Sequence, residues 1–517
     1  MENSEAQLNE AYMVEQAAIN WLKKERYEYI HGSELSPENG ERESYRDVVL
    51  KRRFISAIKR INPWIDDRIA EEVYRKVRDI PHPDFVMKSK IFYDYLTEGV
   101  KVVPKKGEER ARIVRIIDFE NIHNNEFLVA NQFTVEYQYE VDMHRRPDMV
   151  IFINGLPLIV FEFKSFNANE TAKDAFNDHK TKIKDIPQLY QYSQILVVSD
   201  GLETRYGSPT SDWERFFVWE GLKSDDDVEI EELEEGHYRY LYDGEEITSL
   251  ELLIKGLFRR EHLIEYLRDF IFHLKSGETY TKMIAMYHQF YTVKKAIEKT
   301  KKCVLEGKTP EERRIGVVWH TQGSGKSFTM LLYARRALRE KELENPLLLF
   351  LTDRKNLDEQ LYGLFSQMAV AKRVDNVKEL HDILKTASGG LVFSTIQKFG
   401  EFGKYLLVSC NEEDYHKVKT GKIRRGLMIG SLPYSAHGKN EKYKESRERD
   451  YRFFIQIGDI VIGEAKPINV IKKKVEKLSM EDLVETGFET VEEIRLAIEK
   501  EIRRKNSTEF RKILRFI

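Results

Sequence analysis

Two acidic residues and a lysine in the first half of the chain are spaced so that the carboxylates can bind a metal ion with the lysine beside them. Asp148 precedes the apolar run 149–153, an Asn-Gly pair follows, and Glu162 and Lys164 end the next apolar run. Glu162 and Lys164 are two positions apart, so on a strand they face the same side. A hairpin of this length brings Asp148 beside Glu162, where two carboxylates can bind Mg²⁺. Such an ion activates water against a phosphodiester, and Lys164 can orient that water or stabilise charge in the transition state.

Three further polar residues can belong to the same centre. Glu15 lies in the helix-like run 14–24 and can supply another carboxylate. Gln188 and Tyr192 are four positions apart, which on a helix places them on one face. An exposed salt bridge is the alternative interpretation of an Asp and a Glu-x-Lys pattern alone, and the added Gln-x-x-x-Tyr pattern favours the metal-dependent centre.

A second group of residues has the pattern of a phosphate-binding loop. Residues 320–327 read His-Thr-Gln-Gly-Ser-Gly-Lys-Ser, after the apolar run 315–319 and before a helix beginning near Phe328. Glycines let the backbone wrap phosphate closely, and the amides and helix N-terminus attract its charge. Lys326 would reach the β- and γ-phosphates and Ser327 the Mg²⁺. A plain Gly-rich turn is the alternative. The residues of this loop predicted to bind nucleotide are Gly323, Ser324, Gly325, Lys326 and Ser327.

The bulk properties indicate a protein of several domains. The 517 residues include 41% hydrophobic and 33% charged residues, which suffices for about three cores. The net charge of -3 excludes a globally basic nucleic-acid coat, and two cysteines exclude a disulfide scaffold or a cysteine-based zinc site. No apolar run is long enough to span a membrane and no signal-peptide profile is present, so we expect a soluble, cytoplasmic protein without a membrane partner.

Alternating strand-like and helical segments must position these residues. In residues 1–250 the clearest strand-like runs are 127–139, 148–163 and 194–199, and the acidic stretch 224–235 indicates a solvated loop. A helical connector, 247–306, precedes a second α/β unit, for which strand–helix alternation predicts a parallel sheet. Its predicted strands are 315–320, 347–351 and 392–394, and its predicted helices are 328–340 and 377–386.

The first half of the chain resembles the nuclease domain of type I restriction enzyme R subunits. This resemblance implies the PD-(D/E)xK fold with its RecB-like Gln-x-x-x-Tyr addition. It implies that Asp148, Glu162 and Lys164 form the catalytic centre, with Asp148 and Glu162 as metal ligands, and that Gln188 and Tyr192 support DNA handling. Glu15 corresponds to the N-terminal helix of the family. The segments that carry the resemblance are 131–133, 145–148, 154–158, 162–165, 198–201 and Gly207.

The second α/β unit is similar to superfamily-two helicase-like motors, whose loops also lack the first glycine, here His320. The resemblance implies that Gln289 reads adenine and that segments 351–354 and 393–399 contact DNA phosphates. The acidic Asp-Glu-x-His box of that family does not follow Phe399, and the remaining residues are too few for a second lobe. The motor is therefore expected to be truncated, and the resemblance does not extend to translocation or to efficient ATP hydrolysis.

Residues 403–517 have a different character, with short strands and basic turns. They loosely resemble the small β-barrel domains of the PUA and ASCH group, which bind RNA or modified bases. Solvated basic loops on a structural domain are the alternative. The predicted elements are strands 405–409 and 468–477, a turn followed by an apolar strand within 457–462, helices 414–418 and 491–504, and the basic turn 419–426. The residues that would meet phosphates are Lys417, Lys419, Lys422, Arg424 and Arg425.

These observations predict an α/β multidomain protein. A PD-(D/E)xK nuclease domain occupies 1–250, a connector with one incomplete RecA-like P-loop lobe 251–402, and a small β-barrel-like α+β domain 403–517. The predicted function is Mg²⁺-dependent cleavage of double-stranded DNA by an ATP-binding subunit acting with modification and specificity subunits. One alternative is a non-catalytic remnant that binds ATP and nucleic acid. Another is an RNA-binding protein working through its last domain.

Overall fold

The computed structural model describes the backbone of most of the chain, in two compact units, Met1–Pro346 and Leu347–Ile517. None of the helices within the described residues is both long and apolar enough to cross a membrane. The described residues are 2–104, 110–138, 143–165, 170–224, 227–233, 238–277, 279–309, 312–352, 355–367, 371–374, 376–386, 389–395, 405–410, 452–457 and 460–465.

The first unit mixes helices with several small sheets around one larger sheet. Its helices are α1 Glu2–Lys24, α2 Lys51–Ile61, α3 Asp67–Arg78, α4 Phe85–Glu98, α5 Ala172–Asp185, α6 Pro187–Tyr190, α7 Ser249–Gly256, α8 Arg260–Asp269, α9 Tyr287–Glu306 and α10 Lys326–Ala337. Its strands are β1 Glu28–His31, β2 Val100–Val102, β3 Arg112–Val114, β4 Phe127–Asn131, β5 Val135–Glu136, β6 His144–Arg145, β7 Met149–Ile153, β8 Leu156–Phe163, β9 Ile195–Ser199, β10 Thr204–Gly207, β11 Glu229–Glu232, β12 Tyr238–Tyr242, β13 Glu245–Ile247, β14 Ile271–Ser276 and β15 Thr279–Ile284.

The largest sheet has six strands in the order β1-β4-β7-β8-β9-β10. The pairs β1–β4 and β8–β9 are parallel, and the pairs β4–β7, β7–β8 and β9–β10 are antiparallel. Every residue of β4, β7, β8 and β9 is buried. Continuous apolar sequence is typical of strands covered on both faces, and here α1 packs on β4 and β8 while α5 packs on β8 and β9.

The turn between β7 and β8, together with a β-bulge, sets the register of the two strands that carry the acidic residues. Asn154 and Gly155 have φ angles of 54° and 76°, as a two-residue type I′ hairpin requires. The side-chain nitrogen of Asn154 donates to the Ile116 carbonyl at 2.9 Å, which holds the turn in this conformation. A β-bulge shifts the register between Ile151 and Phe152, so that Met149 pairs with Phe161 and the residues just beyond, Asp148 and Glu162, come together at the same end of the hairpin.

Two predictions for the connector and the strand before the glycine-rich loop were wrong. Residues 247–306 are not wholly helical, since β14 and β15 pair as an antiparallel hairpin between α8 and α9. Residues 315–320 form no strand, and Val317 and Trp319 are about three-quarters exposed. An apolar run becomes a strand only where a neighbouring strand takes up its hydrogen bonds, and none of the described strands pairs with this run.

In the second unit, the strands predicted at 347–351 and 392–394 are present and parallel, as predicted. Its elements are β16 Leu347–Thr352, α11 Lys355–Phe365, β17 Ala371–Arg373, α12 Val377–Thr386, β18 Gly390–Thr395, β19 Tyr405–Cys410, β20 Arg452–Ile457 and β21 Ile460–Ala465. Strands β16 and β17 both lie parallel to β18. A cluster of Val374, Leu380, Ile383 and Val392 packs against leucines of β16. Strand β19 is parallel to β20, which forms a hairpin with β21.

Other predicted elements differ in extent. The run 127–139 is two strands, β4 and β5, because Gln132 between them adopts a left-handed φ of 52° that interrupts the extended backbone. Within the acidic stretch 224–235, strand β11 pairs with β12, with every β11 residue exposed. The elements predicted at 414–418, 419–426, 468–477 and 491–504 lie outside the described residues.

Candidate functional site

The carboxylates of Asp148 and Glu162 lie side by side at one end of the β7–β8 hairpin. The backbone amide of Phe163 donates to Asp148 Oδ2 at 2.7 Å, which ties this carboxylate to the strand that carries Glu162. Asp148 is half-buried, whereas Glu162 is only 2% exposed. Glu162 Oε1 is buried with no hydrogen-bond partner among the described residues. The site is therefore reached from the Asp148 side and offers one unused oxygen.

Burial makes this pair of carboxylates strongly disposed to bind a cation. Burial raises the pKa of Asp148, and it raises the pKa of Glu162 well above its usual value, with the charge of Asp148 contributing further. Burial and a like charge both disfavour the ionised carboxylate, and a bound cation relieves both. An orphaned buried oxygen and two adjacent carboxylates fit Mg²⁺, which takes few protein ligands and completes its shell with water and phosphate. In the described ranges, no three His, Cys, Asp or Glu side chains converge as a metal site.

A lysine that sequence reasoning missed pairs with this site. Lys182, on α5, places its Nζ 2.5 Å from Glu162 Oε2 and donates to the Arg146 carbonyl at 3.1 Å. The available signal was its position four residues after Asp178 on a helix that must cover β8, which puts both side chains on one helix face.

The lysine of the predicted catalytic centre has a different environment. Lys164 Nζ lies 3.0 Å from Asp178 Oδ2 and 3.2 Å from Glu170 Oε1. Burial lowers the pKa of Lys164, but these two acidic partners outweigh it and the pKa is raised overall. The backbone amide of Lys164 donates to the Ser199 carbonyl at 2.8 Å, so the strand continues past Phe163 while the ammonium faces α5.

Glu15 reaches the same end of the sheet from α1. The side-chain amides of Asn131 and Gln132 donate to its two oxygens at 2.6 and 3.2 Å. Burial raises the pKa of Glu15, and the negative charge of Asp148 adds to the effect, which places the two carboxylates near each other. The backbone amide of Gln132 donates to the Asp148 carbonyl at 2.9 Å from a left-handed φ of 52°. Such strain is typical of functional sites.

Gln188 and Tyr192 are not stacked on one helix, because α6 ends at Tyr190. The Gln188 side-chain nitrogen donates to the Glu136 carbonyl at 2.7 Å, and its Oε1 is buried without a partner in the described part of the chain. The buried Tyr192 hydroxyl lies 3.0 Å from the Val77 carbonyl, at the end of α3. The structure thus directs Tyr192 to α3 rather than to the carboxylates.

The negative charges of the acidic pair affect the pKa of Tyr190 rather than that of Tyr192. Burial raises the pKa of Tyr190 well above its usual value, with Glu162 and Asp148 as the next causes. Its hydroxyl lies 3.0 Å from His179 Nδ1, and the other ring nitrogen of His179 lies 3.0 Å from the Val197 carbonyl. Sequence reasoning missed this buried pair.

The glycine-rich loop is closed on itself. Gly323 and Gly325 adopt φ angles of 90° and 76°, and α10 begins at Lys326. The exposed Lys326 donates to the carbonyls of His320 and Thr321, each at 3.0 Å. In this arrangement the lysine predicted to bind phosphate is hydrogen-bonded to two carbonyls of its own loop.

Gln289, predicted to read adenine, contacts this loop directly. Its Oε1 accepts a hydrogen bond from the Met286 amide at 2.9 Å, which caps α9. Its Nε2 donates to the carbonyls of Ser324 and Gly325 at 3.3 and 3.4 Å. The side chain is buried, so in this arrangement Gln289 fixes the loop against α9.

The other predicted contacts fall mostly outside the described residues. Of segment 351–354, residues 353 and 354 are not described, and Thr352 is buried with an unpartnered hydroxyl within the described set. Of segment 393–399, residues 396–399 are not described, nor are the basic residues of 417–425.

These features define a mixed α/β protein with a pair of adjacent carboxylates on one sheet and a separate glycine-rich loop before a helix. Residues 7–215 match the family of the type I restriction enzyme R protein N terminus, and residues 288–423 match the SWI2/SNF2 ATPase family. Over residues 7–215 the chain is thus similar to the N-terminal part of type I restriction enzyme R proteins.

Several relatives carry the same family name. The MjaIXP endonuclease subunit of Methanocaldococcus jannaschii is 61% identical over 407 residues, 78% of this chain and 39% of the relative. The HindI endonuclease subunit of Haemophilus influenzae is 34% identical over 397 residues, 75% of this chain and 36% of the relative. The MjaVIIIP subunit of M. jannaschii is 26% identical over 513 residues, 90% of this chain and 46% of the relative. The chain thus spans less than half the length of these relatives.

Proposed function

We propose that this chain is the DNA-cleaving, ATP-binding part of a type I restriction–modification system, and that it hydrolyses phosphodiester bonds of double-stranded DNA with Mg²⁺. The observation that carries this proposal is the buried Asp148–Glu162 pair, with its orphaned Glu162 oxygen, at the end of a hairpin in the matched R-protein region. Two carboxylates in a buried site have little use in folding alone, since their burial costs free energy.

In this proposal the first domain, 1–250, has the PD-(D/E)xK nuclease fold. Asp148 and Glu162 would hold Mg²⁺, which when bound supplies an activated water and charge stabilisation at the phosphate. Glu15, whose carboxylate is held by the side chains of Asn131 and Gln132, would orient a water molecule beside Asp148. Lys164, paired with acidic groups, would stabilise the phosphate charge once DNA displaces its partners.

Gln188 would act on the DNA side of the site through its unpartnered buried oxygen. Tyr192 would act indirectly, by anchoring the segment after α6 to α3. In this proposal both residues belong to the nuclease motif, but Gln188 contacts DNA whereas Tyr192 supports the fold around the site.

The second domain, 251–402, would be one RecA-like lobe of a superfamily-two helicase-like motor. ATP would displace Lys326 from the His320 and Thr321 carbonyls and recruit the backbone amides of Gly323, Ser324 and Gly325, while Ser327 would approach the Mg²⁺ that accompanies the nucleotide. Gln289 would hold the loop in position and contact adenine only after rearranging.

The partners in this proposal are double-stranded DNA and the modification and specificity subunits of a type I complex. Sequence choice would come from those subunits. The residues beyond 402 would form a PUA- or ASCH-like domain that contacts RNA or DNA phosphates through its basic turn, and the protein would act in the cytoplasm.

Plasmid nicking tests the nuclease proposal. Purified full chain is incubated with supercoiled plasmid and Mg²⁺, beside Glu162→Gln, Lys164→Met and the exposed control Glu98→Gln. We expect the parent and the control to nick, and the first two variants to lose at least a hundredfold in rate. Equal nicking by Glu162→Gln would show that the activity comes from a contaminant or another site.

A second function, nucleotide binding without turnover, is favoured by one observation. Residues 320–327 can hold phosphates but carry no acidic side chain that would position an attacking water. Fluorescent ATP binding that is lost in Lys326→Ala, together with no DNA-stimulated phosphate release, would support this function. Phosphate release dependent on Lys326 would reject it.

A further inference from the structure

Two lysines lie near the acidic residues of the candidate nuclease site, and the one outside the sequence motif is the one that contacts Glu162. Lys164, the motif lysine, pairs with Glu170 and Asp178. Lys182, outside the motif, contacts the candidate metal ligand itself, with Nζ 2.5 Å from Glu162 Oε2.

The helix that carries Lys182 holds it firmly over the sheet. A capping box between Thr171 and Asp174 begins α5, and Ala175 and His179 bury one of its faces against β8 and β9. Three residues before Lys182, His179 bonds to the Val197 carbonyl in β9. The backbone of Lys182 is therefore fixed, and any movement of its ammonium takes place within the side chain.

The ammonium of Lys182 is the one cation paired with Glu162 among the described residues. Its side chain is 15% exposed and that of Glu162 is 2% exposed, so water screens the pair weakly. A buried carboxylate without a counter-charge is costly, and Lys182 supplies that counter-charge. A divalent cation between Asp148 and Glu162 would supply it as well, at a short distance from the same ammonium.

We infer that Lys182 is a positioning residue that competes with the divalent cation for Glu162. It orients the carboxylate in the metal-free protein, and when the ion binds its ammonium leaves Oε2 and keeps its hydrogen bond to the Arg146 carbonyl. This inference rests on the proposed metal-dependent nuclease function and deepens it. Lys182 sets the metal concentration at which the site becomes occupied, whereas Lys164 acts on the phosphate.

Metal binding, measured apart from cleavage, tests the inference. Mn²⁺ is titrated into the full chain by calorimetry at pH 8, without DNA, for the parent, Lys182→Met and Lys182→Gln. The matched control is Lys184→Met, an exposed lysine two positions further along α5. Lys182→Arg retains the positive charge.

Removing the competing charge is expected to tighten Mn²⁺ binding at least fivefold in Lys182→Met and Lys182→Gln. The control Lys184→Met and the charge-retaining Lys182→Arg are expected to stay within twofold of the parent. Without metal, the two neutral variants are expected to melt at a lower temperature than the parent. On adding Mn²⁺, their melting temperature is expected to rise by more than that of the parent.

The outcomes separate this inference from the proposed function. If neutral variants that fold, by circular dichroism, bind Mn²⁺ as the parent does or more weakly, the inference is overturned, while nicking by the parent leaves the nuclease intact. If Lys182→Arg binds as tightly as Lys182→Met, charge is not the cause and the inference is also overturned. A parent that neither binds Mn²⁺ nor nicks DNA overturns both.

Discussion

Replacing Lys282 with methionine should remove a pH dependence from the stability of the first unit. Lys282, on β15, is 1% exposed, and burial lowers the pKa of its ammonium to about 7. Its Nζ donates to the Ser193 carbonyl at 2.9 Å and to Gln194 Oε1 at 3.0 Å, and no carboxylate pairs with it in the described ranges. A neutral amine retains enough hydrogens for both bonds, so deprotonation relieves the burial of charge without breaking them.

The sign follows from proton binding. Between pH 7 and 10.5 the unfolded chain holds the Lys282 proton and the folded chain does not, so stability rises with pH in this window. At about 1.4 kcal/mol per pKa unit, the parent gains roughly 3 kcal/mol from this residue between pH 7 and pH 9.5. The variant lacks this gain and leaves two acceptors without a donor, at a cost of about 1–3 kcal/mol.

Denaturant unfolding at pH 7, 8, 9 and 9.5 measures the effect. All five tryptophans lie between residues 21 and 319, so their fluorescence reports on the first unit alone. We expect the free-energy difference between parent and Lys282→Met to grow in favour of the parent as pH rises. Parallel pH profiles for the two proteins would refute the reasoning, because the titrations of all other groups cancel in the difference.

Two glycine substitutions test the hairpin and the nucleotide loop. Gly155→Ala combines a φ of 76° with a Cβ 2.7 Å from the Leu50 carbonyl, and we expect it to destabilise the first unit by about 2–4 kcal/mol in the same unfolding assay. Gly244→Ala has a similar φ of 80° but open space, so it should cost only about 1 kcal/mol, and an equal loss would contradict the contact argument. Gly325→Ala strains a φ of 76° and also places a Cβ 2.7 Å from Gln289 Nε2, so it should weaken fluorescent ATP binding about tenfold, whereas unchanged affinity would show that binding does not need this loop conformation.

Local sequence rules were sufficient for the part of the site that lies on one hairpin. The Asn154–Gly155 pair predicts a tight turn, and the continuous apolar runs on both sides predict buried strands, so the placement of Asp148 and Glu162 at one end of a hairpin followed from the sequence. Their direct pairing depends on a β-bulge that the sequence analysis did not predict, since a regular hairpin would pair Asp148 with Phe161. Helix α12 was likewise predicted with its observed bounds, since its apolar positions repeat at helical spacing.

Contacts between distant segments could not be obtained in this way. The pairing of Lys182 with Glu162 depends on how α5 lies on β8, which no local pattern specifies. The Gln188–Tyr192 spacing suggested one helix, but α6 ends at Tyr190 and turns toward β9. Residues 315–320 have strand-like composition, yet strand formation depends on a partner strand.

The rate of Mg²⁺-dependent plasmid nicking by the parent and by Asp148→Asn tests the central claim most directly. The substitution keeps the size and the hydrogen bond from the Phe163 amide while removing the charge that the ion requires. We predict nicking by the parent that rises with Mg²⁺ and is abolished by chelation, and a loss of at least a hundredfold in Asp148→Asn at unchanged melting temperature. Nicking by Asp148→Asn at the parental rate would contradict the assignment of this carboxylate pair as the nuclease centre.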